Sequence, residues 1–158
     1  MSFSRYADYK DSNIVWIQKL PVQWETKRLK FSAAEKKFAI VDGPFGTQLK
    51  AEDYRQSGVP LIRITNLSYH GKFNEEDLAF IDPEKAREVD RSAVYNGDIV
   101  IGKTGATIGK SAILEDIGYG IIASSCLKIS PDTRVLNSRY LLYCVSSDGF
   151  LNELINSA

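Results

Sequence analysis

The sequence predicts an α+β fold: a β-rich central sheet with short helices and a C-terminal helical region. Three observations carry this. Short apolar runs bounded by Gly, Pro and Asx turns fill the stretch from Phe38 to Ser130, the pattern of strands. Pro83 opens one short helical segment running to Asp90. Asn137 stands before apolar residues at helical spacing, as an N-cap does.

In chain order, Tyr6 to Trp24 is aromatic-rich, with an apolar patch at Ile14-Val15-Trp16-Ile17 and a break at Pro21. Such a segment predicts an arm, residues 1–24, packing on a body formed by residues 25–158. Lys27 to Lys37 predicts a short helix. Phe38 to Val41 reads as a strand, stopped by the turn chemistry of Asp42-Gly43-Pro44. A loop follows over Phe45-Gly46-Thr47-Gln48-Leu49-Lys50, then a helical turn from Ala51 to Gln56. Val59 to Thr65 predicts a strand with Arg63 set among apolar neighbours, and Tyr69-His70-Gly71 a turn. Further strands are expected near 98–102, 110–114, 120–124 and 126–130. The C-terminal helices are expected over Arg139–Ser146 and Phe150–Ile155, separated at Asp148-Gly149.

Composition narrows the function classes. The 158 residues suffice for one domain with a core, and 44% hydrophobic with 25% charged content is that of a soluble globular chain. No run approaches the ~20 apolar residues of a membrane span. Met1-Ser2-Phe3-Ser4-Arg5 lacks a signal-peptide core, so a cytoplasmic location is expected. Cys126 and Cys144 then read as reduced thiols. Net charge is zero, 20 basic against 20 acidic, which is not the footprint of bulk electrostatic grip on nucleic acid.

The densest chemistry lies in Gly97-Asp98-Ile99-Val100-Ile101-Gly102-Lys103-Thr104-Gly105-Ala106-Thr107-Ile108-Gly109-Lys110-Ser111. Glycines, hydroxyls, bare amides and two lysines suit a phosphate, on a nucleotide or on a nucleic-acid backbone. A nucleotide P-loop fails, because Thr104 stands where its first glycine belongs and no long helix follows Ser111. Leu78-Ala79-Phe80-Ile81-Asp82, the one Walker-B-like run, lies upstream. His70 has no partners at metal-ligand or catalytic spacing, and Asp42-Gly43-Pro44-Phe45 matches an amino-methyltransferase motif only by chance. No catalytic residue, metal or resident cofactor is expected; a binding module is.

Several motifs stand in a recognisable order. Tyr9-Lys10-Asp11-Ser12, Trp16-Ile17, Leu20-Pro21 and Trp24-Glu25 with Lys27-Arg28-Leu29 resemble the start of specificity (S) subunits of type I restriction–modification systems. Asp42-Gly43-Pro44-Phe45-Gly46-Thr47, the Val59–Leu67 run, Gly97–Ile101 with Thr104–Lys110, and Asn137-Ser138 with Tyr140-Leu141-Leu142 resemble the target-recognition domain of that family. The resemblance implies a non-catalytic reader of double-stranded DNA, taking one half of a bipartite site. S-adenosylmethionine, ATP and magnesium would be held by partner methylation and restriction subunits. One recognition domain stands where the family has two, and the conserved spacer helix has no counterpart, so a truncated or half S subunit is expected. The alternative is an assembly module that joins other subunits, or a copy of itself, without reading DNA.

On this resemblance, Lys103, Thr104, Thr107 and Lys110 are the first candidates for backbone or groove contact, with Gly105 letting the loop approach closely. Gln48 or Asn66 would bridge an adenine, and Arg63, Lys50 or Lys103 would take a guanine. Phe45, Gly46 and Thr47 complete one loop, and Tyr69 probes a groove. Competing readings stand beside these. The glycines would simply turn a β-loop, Arg63 would pair with Asp77, Phe45 would plug the core, and His70 would be a solvated turn residue.

Overall fold

The computed structural model describes residues 6–156; the N-terminal five residues, read above for export signals, and Ser157-Ala158 lie outside them. The chain divides into two units, 1–31 and 32–158. In the first, β1 (Tyr9–Ile14) and β2 (Ile17–Pro21) form an antiparallel hairpin. Its register shifts between Asp11 and Ile14, where Asn13 takes φ +59°, a left-handed angle that asparagine tolerates well. The buried Ser12 hydroxyl donates to the Ile17 carbonyl and accepts from the Ile14 amide at 2.9 Å, fixing the bulge.

The second unit is α+β, built on two sheets. Strands β3 (Ile40–Asp42), β8 (Ile99–Gly102), β9 (Ser111–Ile113) and β11 (Cys126–Ile129) form an antiparallel sheet in the order β3-β11-β8-β9. Strands β4 (Tyr54–Arg55), β5 (Val59–Ile62), β6 (Ala79–Ile81), β7 (Ala93–Tyr95) and β10 (Tyr119–Ile122) form the other, in the order β4-β6-β5-β10-β7. Its central pair is parallel, Leu61 opposite Ile121 and Ile62 opposite Ile122.

Because successive strand side chains point to opposite faces, this sheet is buried on both. Leu61, Ala93 and Ile121 join Ile81, Leu49 and the Ala86 and Val89 side chains of α1 (Pro83–Glu88) and its end in one core. Their neighbours Ile62, Val94 and Ile122 join Val100, Ala112, Leu114 and Cys126 in a second. The chain closes with α2 (Ser138–Val145) and α3 (Asp148–Asn156). The Asn137 side chain caps α2, accepting from the Arg139 and Tyr140 amides at 2.9 and 3.2 Å. Among the described residues no helix is long and apolar enough to cross a membrane.

Several elements depart from the sequence expectation. Lys27–Lys37 holds only a 3-10 turn, Leu29–Phe31. The segment after it is drawn into pairing instead, with Ala34 N on Ser130 O and Asp132 N on Ser32 O, both 2.9 Å. β3 starts at Ile40 because Phe38 sits at φ +58°. The Ala51–Gln56 turn is a 3-10 turn, Ala51–Asp53, running into β4. β5 ends at Ile62, and Ile64–Asn66 turns as a 3-10 segment. α3 begins at Asp148 rather than Phe150, with the Ser147 hydroxyl accepting from the Phe150 amide at 3.4 Å.

A buried ion pair crosses the interior. Lys128 is 3% exposed; its ammonium donates to the Ala93 carbonyl at 2.6 Å and lies 3.8 Å from Asp98. Asp98 also accepts the Tyr95 amide at 3.0 Å. Burial pulls Lys128 below the ordinary lysine pKa, against the opposing charge of Asp98.

Candidate nucleic-acid interface

The registers bring four loops to one end of the second unit. Cys126 pairs with Gly102, Leu127 with Asp42, Ile101 with Ser111 and Ile62 with Ile122. The segments leaving β3, β5, β8 and β10 therefore emerge together. They contain every residue that the sequence singled out for DNA contact.

The β3 loop is rooted by backbone. Gly43 N donates to Cys126 O at 3.0 Å, and a Cβ on Gly43 would fall 2.0 Å from Ala123 O, so only glycine fits. Pro44 is buried, but Phe45, Gly46, Thr47 and Gln48 are exposed. Phe45 is 71% exposed, which removes it from the core role. Gln48 Oε1 accepts the Phe45 amide at 3.2 Å, and Gln48 N donates to Phe45 O at 2.8 Å. Lys50 forms an exposed pair with Glu52 at 3.3 Å, an interaction worth ~0–1 kcal/mol.

The glycine-rich loop after β8 uses much of its own hydrogen-bonding capacity. Gly102 N reaches Lys110 O at 2.7 Å, Gly109 N reaches Gly102 O at 3.1 Å, and Lys110 N reaches Thr107 O at 3.2 Å. Lys103 N donates to Ser125 O at 3.0 Å. Those four amides are engaged within the protein and do not form a phosphate cradle. The Thr107 hydroxyl donates to Thr104 O at 3.0 Å, and Gly105 turns at φ +62°. Ser111 opens strand β9, not a helix, so the P-loop stays excluded.

The lysines are placed differently. Lys103 pairs with Asp42 at 3.1 Å across two loops. Lys110 lies 5.7 Å from the centre of the Tyr69 ring, a cation–π contact. Tyr69 in turn donates its hydroxyl to Ala106 O at 2.9 Å, and Ser111 N donates to Ser68 O at 2.9 Å. The Tyr69 turn is thereby clamped to the glycine-rich loop. Thr104, Gly105 and Ala106 remain exposed at its tip.

Two candidates are tied into the structure, Asn66 buried and Arg63 half-buried. Asn66 is 1% exposed; its Oδ1 accepts Arg63 N at 2.9 Å and its Nδ2 donates to Asn74 O at 3.0 Å. Both ends of the amide hold the loop, so Asn66 is withdrawn as an adenine reader. Arg63 donates to the backbone carbonyl of Asp77, not to its carboxylate, and its Nε is buried without a partner. Sequence reasoning missed the structural roles of two residues: Asp42, which pairs with Lys103, and Ser68, whose hydroxyl accepts Lys72 N at 2.8 Å.

Burial pushes the Cys126 thiol up to about 11, against the smaller effects of the Ser125 hydroxyl and the Lys103 charge, so it is a poor nucleophile at neutral pH. No group of three or more His, Cys, Asp or Glu among the described residues could hold a metal ion. A cleft of about 620 Å³ at the opposite end of β8 is lined in part by Arg134 and Arg139. Those arginines are already paired, with Asp132 at 2.8 Å and Glu115 at 2.6 Å.

No family model and no curated protein matches the chain. Among solved structures, it is similar to a chain from a study of complex assembly and conformational transition of the type I R-M system. The match has 16% identity and a TM-score of 0.57, and covers 80% of this chain. It covers 28% of that chain, so the present protein spans under a third of its neighbour. At this identity the likeness is one of fold.

Proposed function

We propose that the chain is the target-recognition domain of a type I restriction–modification specificity subunit. It reads one half of a bipartite duplex site and directs partner methylation and restriction subunits there. The observation that carries this is the convergence of four loops on one end, with exposed tips of neutral polar, aromatic and lysine side chains. The order of the sequence motifs and the fold shared with a type I R-M complex chain support the same conclusion.

Tips of this composition suit base edges more than bulk charge. Gln48 Nε2, Thr47 and Thr104 offer donors and acceptors, while Lys103 and Lys110 reach phosphate or guanine. The domain performs no catalytic step. S-adenosylmethionine, ATP and magnesium act on the partner subunits. Affinity comes in large part from those partners, which makes a net charge of zero tolerable in the reader.

The test is selection from randomised duplex DNA at low salt with the folded chain, followed by sequencing of the bound pool. Enrichment of one short motif is expected. A folded chain that enriches nothing refutes autonomous reading and favours the assembly module.

A further inference from the structure

Phe45 is held outward by its own loop. The ring is 71% exposed although Gly43, Pro44 and Leu49 around it are buried. Exposure of this much phenylalanine surface forgoes most of the stabilisation that burying the ring would bring. Yet the turn beneath it is braced rather than loose. Gln48 N and Leu49 N donate to Phe45 O at 2.8 and 3.3 Å, and Gln48 Oε1 accepts Phe45 N at 3.2 Å. Gly43 locks the root against Ala123, and Leu49 anchors the far side in a core.

The surroundings choose the occupant. Gly46, Thr47 and Gln48 beside the ring are exposed and not apolar, whereas a protein-docking surface has a contiguous apolar centre. An exposed ring flanked in its own loop by the hydroxyl of Thr47 and the amide of Gln48 is the composition of an apolar wedge that enters a base step. A Cβ on Gly46 would meet nothing within 4 Å, so the adjoining backbone has open space. We infer that Phe45 inserts into one base step of the bound duplex, with Gln48 as the positioning residue that sets its angle.

This rests on the proposed DNA reading and adds to it a second source of specificity. Pyrimidine–purine steps unstack most easily, so one position of the site would be chosen by deformability, without a hydrogen bond to its bases. It also reassigns Gln48. With Oε1 bonded to the Phe45 amide, its side chain serves the turn first and a bidentate adenine contact second.

The experiment uses the duplex enriched by the wild-type chain, with 2-aminopurine substituted at each position in turn. Wild-type protein is expected to raise the fluorescence at one step. Phe45→Ala should abolish that rise and weaken binding about tenfold, with an unchanged melting temperature because the ring is exposed. Phe45→Trp should keep the rise. A mismatch at the step should restore most of the affinity of Phe45→Ala, since the unstacking cost is then met by the DNA. Tight wild-type binding with no unstacking anywhere overturns the wedge and leaves DNA reading intact. Undiminished binding by Phe45→Ala does the same. Failure of the wild-type chain to enrich any duplex overturns both.

Discussion

Asn66→Ala separates a structural amide from a base-reading one. In the folded chain Asn66 Oδ1 accepts Arg63 N at 2.9 Å and Nδ2 donates to Asn74 O at 3.0 Å. Truncation removes both bonds and strands two backbone groups beneath the loop. At ~1–2 kcal/mol for each group left unmet, the variant should lose about 2–4 kcal/mol. With a urea slope of ~2 kcal/mol/M for a chain of this size, the midpoint falls by about 1–2 M. Asn66→Asp supplies the control. It keeps an acceptor for Arg63 N but turns an oxygen towards Asn74 O, so it should be no more stable than the alanine variant at neutral pH. Burial and the facing carbonyl raise the new carboxyl above the ordinary aspartate pKa, so as the pH falls it protonates in the folded chain, can donate to Asn74 O, and its deficit relative to wild type should shrink. A wild-type urea midpoint in Asn66→Ala, with preference lost at one base pair only, would refute the structural assignment.

Three further outcomes follow from the geometry. Lys103→Ala with Lys110→Ala should weaken binding to all duplexes and flatten the salt dependence by about one unit per lost phosphate contact, whereas Asp42→Asn should free Lys103 and strengthen low-salt binding a few-fold; filter binding across a salt series reads both. Gly43→Ala should cost about 1–3 kcal/mol or more, because its Cβ meets the Ala123 backbone oxygen, while Gly46→Ala in open space should melt like the wild type. Lys128→Met should cost about 3–5 kcal/mol by leaving Asp98 buried and uncompensated, and adding Asp98→Asn should recover part of it in urea unfolding. Since burial lowers Lys128 in the folded state, the unfolded chain binds the extra proton between that lowered value and the ordinary ~10.4. Stability from this group therefore rises with pH across that window, and Lys128→Met should remove the slope.

Local chemistry made some of this legible in the sequence. Ile99-Val100-Ile101 and the turn at Asp42-Gly43-Pro44 declare themselves because apolar runs and turn residues act over a few positions. Asn137 was readable as a cap for the same reason. The 27–37 segment was not, because its backbone bonds go to Ser130 and to the amide of Asp132, far away in sequence. β7 was hidden too: Ala93-Val94-Tyr95 is too short to signal a strand until Tyr119, Gly120 and Ile121 lie beside it. At the loop end, residue type suggested the candidates but could not sort them. Asn66 and Gln48 are alike in chemistry, yet one is sealed in and the other stands at the surface, a difference made by tertiary packing alone.

The parallel pairing of Leu61-Ile62 with Ile121-Ile122 has a consequence for biosynthesis. Each strand sends one side chain into each core, so both hydrophobic interiors lack a wall until β10 has left the ribosome. A nascent chain holding β3 to β9 has no complete interior to collapse around, and its strand edges stay open to other chains. Truncation before residue 119 is therefore expected to yield an aggregation-prone product rather than a smaller working domain, which light scattering of the truncated chain would read.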